Sequence, residues 1–152
     1  MRTVNSKQLT VNSKAFTLIE LLVVISIVAL LIGLSVFALQ GARTSSRDTR
    51  RKSDMELIRS GIEIFKADCD VYPSSLPSGG SALMGDGSIS TCLVSNTYIS
   101  STPSDPLDPN RTYYYTSPDG ETYQLCAALE GGGSDTCAGS CGETCNYQLV
   151  NP

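Results

Sequence analysis

Polar and apolar residues are distributed along this chain in three regimes, and each regime predicts a different element. From Phe16 to Leu39 the sequence runs 24 residues with one charge, Glu20. Apolar residues occupy every side of the helix it would form, so no face is reserved for a protein core. At about 1.5 Å per residue such a helix is about 36 Å long, enough to cross a hydrocarbon layer of about 30 Å. From Gly41 the pattern changes. Met55, Ile58, Ile62 and Phe65 recur at three- and four-residue intervals, which predicts an amphipathic continuation of the same helix to about Ala67, with one face under a sheet.

Beyond the helix the pattern shortens. Residues 73–111 hold ten Ser, four Gly and five Pro in 39 positions, and read as a long connection with little regular structure. Thr112–Thr116 and Thr122–Ala128 then flank Ser117-Pro118-Asp119-Gly120, a turn sequence, and predict a β-hairpin. Tyr123, Leu125, Ala127 and Leu129 alternate onto one face, toward the helix. Asn146–Val150 reads as a third strand, and Gly131–Thr144 as a Gly/Cys loop. The expected fold is α+β: one long helix, membrane-spanning in its first half and amphipathic in its second, on a small antiparallel sheet of about three strands.

Charge follows the same division. Residues 1–15 carry three bases and no acid, residues 43–66 seven bases against four acids, and residues 67–152 only Arg111 against ten acids. So acidic a head repels nucleic-acid phosphate, and no direct nucleic-acid contact is expected from it. The helix arginines 43, 47, 50 and 51 fall near one stripe, with Asp48–Lys52 as an i,i+4 pair. Three uses are open to that stripe: a solvated face, pairing with acidic heads of neighbouring subunits, or contact with anionic lipid.

Six cysteines, Cys69, Cys92, Cys126, Cys137, Cys141 and Cys145, all follow the apolar stretch, and histidine is absent. An even count in a small loop-rich body reads as disulfides formed in an oxidising compartment, with thiolate metal binding as the alternative. Fifteen connectivities are open; a Cys69–Cys92 pair would staple the long connection. Catalysis is not expected, since no histidine stands by to activate a Cys or Ser nucleophile.

The N-terminal features do not fit a secretory signal, whose apolar region is about 7–15 residues and ends in a small-x-small cleavage site. A plain single-span anchor fits better but leaves Glu20 unexplained, because a carboxylate within a bilayer is costly without a partner. Orientation is also in tension. The bases after the apolar stretch outnumber those before it, which places the C-terminal side inside, whereas the cysteines place it outside, and the cysteines decide.

The stretch Lys14-Ala15-Phe16-Thr17-Leu18-Ile19-Glu20-Leu21-Leu22 resembles the processing motif of type IV pilins and type II secretion pseudopilins. The helix after it, Tyr72-Pro73 at its end, and Pro103-Ser104-Asp105-Pro106 are similar to pseudopilin sequences as well. The resemblance implies a pilin fold: residues 1–15 as a cytoplasmic leader, 16–40 as a transmembrane and assembly helix, 41–67 as its continuation, and 68–152 as a disulfide-containing head. It implies cleavage between Ala15 and Phe16 by prepilin peptidase and methylation of the new amine, with Ala15 standing where the family nearly always has Gly. It also implies a homo-oligomeric filament in which Glu20 meets a neighbour's terminal amine, the alternative being contact with headgroups or with its own chain's Phe16 amine. Expected partners are the peptidase, an inner-membrane assembly platform and, before assembly, membrane lipid. The place implied is a single-pass inner membrane protein with an extracytoplasmic head, then a periplasmic or cell-surface filament. A minor pilin for adhesion or DNA uptake and a plain membrane-anchored surface domain are the other readings. No cofactor is expected. Relatives often bind calcium in the C-terminal loop, where Asp135, Glu143 and Glu130 could supply oxygen, but the dense acidic run is missing and cysteines occupy its place.

Overall fold

The computed structural model describes residues 16–151. Ala15 and the leader lie outside them. One helix, α1 (Leu18–Cys69), is followed by β1 (Leu83–Met84), β2 (Thr97–Ile99), β3 (Tyr114–Thr116), β4 (Gln124–Ala127) and β5 (Tyr147–Val150). Two antiparallel sheets result, β1–β2 and β3–β4–β5. The chain packs as two compact units that meet in sequence at Gln40 and Gly41.

The first unit is helix alone. From Leu18 to Val36, and at Leu39, its large apolar side chains are exposed, Leu18 at 82% and Leu34 at 66%. By length and composition this helix could cross a membrane, and none of that apolar stretch is buried.

In the second unit, Met55, Ile58, Ile62 and Phe65 turn inward and are essentially inaccessible, joined by Tyr72, Leu83, Ile99, Tyr123, Leu125 and Ala127. Gly61 lies within this face because β2 passes against it: a Cβ there would overlap Ile99 Cγ1. The helix runs to Cys69, two residues past the expected Ala67. Asp70 then takes a left-handed conformation (φ 61°), and Lys66 Nζ donates to its carbonyl at 2.6 Å. This bond ties the last turn of the helix to the residue at which the chain leaves it.

The hairpin forms with Tyr114 opposite Cys126 and Thr116 opposite Gln124. Its turn closes as Asp119 Oδ1 accepts the N–H groups of Glu121 and Thr122, with Gly120 at φ 68°. Strand β5 pairs along the other edge of β4, Gln124 to Val150 and Ala127 to Tyr147. As the central strand, β4 is covered on both faces. Leu125 and Ala127 join the helix core, while Cys126 and Ala128 sit under the Cys141 and Cys145 loop. The stretch 73–111 departs from expectation by containing β1 and β2. Strands of two and three residues are too short to show alternation among serines and glycines, and their pairing depends on Ile99 and Leu83 reaching the core.

Candidate assembly site and the head junction

Thr17 and Glu20 open α1 as a reciprocal cap. The Thr17 backbone N–H and Oγ1 both donate to Glu20 Oε2, at 3.1 and 2.8 Å, and the Glu20 N–H donates to Thr17 Oγ1 at 3.3 Å. This is a capping box, in which a Thr at the helix start and a Glu three residues on satisfy each other's orphan donors. The signal T-x-x-E was present in the sequence and was masked by the apolar stretch around it. Glu20 therefore has a partner within its own helix, Thr17, that the sequence expectation did not include. Its Oε1 accepts no hydrogen bond among the described residues. Beside it, Phe16, Ile19, Glu20, Val23 and Val24 line an open groove of about 360 Å³, and Phe16 is 78% exposed.

The arginine stripe is divided by the fold rather than left as one solvated face. Arg51 is fully buried. Its Nε and Nη2 donate to Asp105 at 2.7 and 3.0 Å, and its Nη1 to Asp48 and Glu130 at 2.7 and 2.9 Å. Arg47 Nε reaches Glu130 Oε1 at 2.6 Å. Asp48 does not pair with Lys52. It accepts the backbone N–H groups of Glu130 and Gly131 instead, and Lys52 lies over the Tyr147 ring, 5.6 Å from its centroid. These bonds tie the helix turn 47–51 to two head segments, around Asp105 and Glu130. Hydrogen bonds from Arg47 and then Arg51 hold the Glu130 carboxyl down at about 2, against its burial. Burial works against the charge of Asp48 too, but the N–H groups of Glu130 and Gly131 outweigh it and lower its pKa. Carboxylates surrounding Arg51, Asp105 foremost, hold the guanidinium firmly protonated.

All six cysteines are paired: Cys69–Cys92, Cys126–Cys137 and Cys141–Cys145. The first pins the long connection to the end of α1, and the other two organise the loop over β4. The candidate calcium carboxylates do not gather. Glu130 faces Arg47 and Arg51, Glu143 pairs with Arg111, and Asp135 accepts the Gln148 N–H at 3.1 Å. Among the described residues the one cluster with metal-ligating atoms close together is Cys69, Asp86 and Cys92, whose sulfurs are already joined.

An uncovered apolar helix, opened by a capped carboxylate and carrying a small disulfide-stapled α+β head, defines a pilin-like subunit. Comparison with family profiles agrees: the prokaryotic N-terminal methylation motif matches residues 11–36, and type II secretion system protein G matches residues 38–147. The second match spans well over half of the chain, which belongs to the type II secretion system protein G family, a pseudopilin family. No curated protein and no solved structure matches the chain. The family is one of structural subunits rather than enzymes, and the methylation motif with its apolar helix makes this a membrane-anchored one.

Proposed function

We propose that this protein is made as a membrane-spanning precursor, cut between Ala15 and Phe16 by prepilin peptidase, methylated at the new amine, and polymerised into a secretion pseudopilus through α1. The observation that carries the reading is a helix whose large apolar side chains from Leu18 to Val36 are all exposed, while the one charge in that stretch is Glu20. Lipid covers such a helix before assembly, and the helices of other copies cover it afterwards.

Cleavage would leave Phe16 with an α-amine whose reference pKa is about 7.7–8.0, so mostly cationic at neutral pH. Both Thr17 donors go to Glu20 Oε2, which leaves Oε1 for the amine of a neighbour. In a low-dielectric stack an unpaired carboxylate is costly and a paired one much less so, so the pair selects the correct axial register. The head lies outside the cytoplasmic face, where its three disulfides can form. An inner-membrane platform delivers the subunits. The head takes no calcium in this reading, since Glu130 and Glu143 are committed to arginines, and calorimetry is expected to show no heat and no thermal shift on adding the ion.

Mass spectrometry of the mature protein is expected to find N-methylphenylalanine at position 16; an intact Met1 would overturn the processing. Glu20→Gln tests the charge alone, because glutamine preserves a capping box. That variant is expected to stay in the membrane and form no ordered filaments. Normal filaments from it would sink the charge pairing.

A further inference from the structure

With Arg47 and Arg51 consumed inside the head, Arg43 and Arg50 remain on the outside of α1. Arg50 has a side chain 65% exposed and one long contact, 3.8 Å, to Asp54. The two are seven residues apart, and two further steps of seven reach Leu57 and Ile64, exposed at 48% and 54%. A seven-residue step drifts by about 20° on a straight helix, so these four side chains share one side of it, drifting about 60° from Arg43 to Ile64, two guanidiniums followed by two apolar groups. The core-facing residues Met55, Ile58, Ile62 and Phe65 point elsewhere and are covered.

A second exposed apolar group stands on the segment that begins at the last residue of β1. Met84 (45%), Ile89 (37%), Leu93 (51%) and Val94 (64%) are all open to solvent within eleven residues. This segment is held rigidly. Cys92 is bridged to Cys69, Gly87 N–H donates to the Cys92 carbonyl at 2.8 Å, and Gly85 N–H to Asn96 at 3.0 Å. Asp86 stands among these residues, exposed, with Oδ1 accepting the Ser88 N–H and no basic side chain within ion-pair distance among the described residues.

We infer that the stripe Arg50–Leu57–Ile64 of one copy docks on the 84–94 segment of a second copy, Arg50 meeting Asp86 and the two apolar groups covering each other. This rests on the filament reading and names the head surfaces that carry it. The charges are complementary: Arg50 has only a long contact to Asp54, and Asp86 has no base within ion-pair distance among the described residues. A contact between two different patches of the same chain is heterologous and does not close on itself, which is the geometry an extending filament needs. The disulfide-held segment pays little ordering entropy on docking.

The test uses the full-length chain in assembling cells. A photoreactive residue replacing Ile64 is expected to cross-link to a peptide within residues 84–94 of another copy. Adducts that map to lipid, or to residue 64 of a second copy, overturn the inference. Arg50→Glu and Asp86→Arg are each expected to cut filament yield by about tenfold, and the two together to bring it back within about threefold of wild type, as coupled charge pairs do. Asp86 also shapes its own loop, so Asp86→Asn, which keeps the acceptor for Ser88, reports on charge alone and is expected to lower yield while leaving the head's melting temperature unchanged. Undiminished filaments from Arg50→Glu defeat this inference and leave the filament reading standing. Absence of filaments from wild type defeats both.

Discussion

The two halves of α1 are one continuous helix with opposite ways of being satisfied. From 18 to 36 it is apolar on every side, and its large apolar side chains are exposed. From 41 to 69 it keeps a single apolar face, and that face is sealed by Ile99, Tyr123, Leu125 and Ala127. Charge differs in the same way. Glu20 is capped by one threonine and keeps an oxygen to spare, while Arg51 is enclosed by three carboxylates of its own chain. The second half therefore draws its stability from the head's own core, while the first half keeps its large apolar side chains exposed and, on the proposed reading, is covered by lipid or by other copies.

The largest effect is expected from removing Arg51. Arg51→Ala strands Asp105, 1% exposed at its side chain, without a counter-charge, and losing one partner of a buried pair costs about 3–5 kcal/mol. Thermal unfolding followed by tyrosine near-UV circular dichroism is expected to show a large drop in the head's midpoint. A midpoint unchanged within a degree would mean that the junction does not hold the head. Next in size is a pair of glycine substitutions. Gly61→Val drives a side chain into Ile99 and Tyr98, and overpacking of this kind costs about 1–3 kcal/mol. Gly33 has open space within 4 Å, so Gly33→Val is expected to leave the isolated subunit's melting unchanged and to disturb filaments alone. Equal effects of the two substitutions on the subunit would erase the distinction between the halves.

Much of this division was legible in the sequence because periodicity is a local signal. The change at Gly41 from all-round apolar to three-four spacing placed the covered face, and Pro118-Asp119-Gly120 placed the hairpin with β5 beside it. What was not legible depends on distant residues. Arg51 finds Asp105 and Glu130 54 and 79 residues away, so a stripe of four arginines looked uniform although the fold uses two inside and two outside. The β1–β2 pair was hidden for the same reason, since its strands acquire meaning only when Ile99 meets Gly61. Two of the three disulfides were equally out of reach, because nothing in the spacing of Cys126, Cys137, Cys141 and Cys145 prefers one pairing. The Thr17–Glu20 capping box is the opposite case, a local signal overlooked because the residues around it spoke so strongly of membrane.

The smallest effect is expected from pH. Glu130 titrates normally near 4.5 and is held at about 2 in the folded head by Arg47 first and Arg51 second. A carboxylate with a depressed folded pKa contributes stability that is complete above its unfolded value and is lost as pH falls toward the folded one. Acid titration of the subunit is therefore expected to show head stability level above about pH 4.5 and declining from there to about pH 2. Glu130→Gln should be less stable than wild type at neutral pH and should show a shallower decline across that interval. Asp48, whose pKa is lowered as well, supplies part of the slope that remains. Helicity of the 18–40 segment in detergent carries no contribution from Glu130 and is expected to be identical in the two proteins at every pH. A slope in wild type no steeper than in Glu130→Gln would show that the arginines hold Glu130 in place without drawing on its charge.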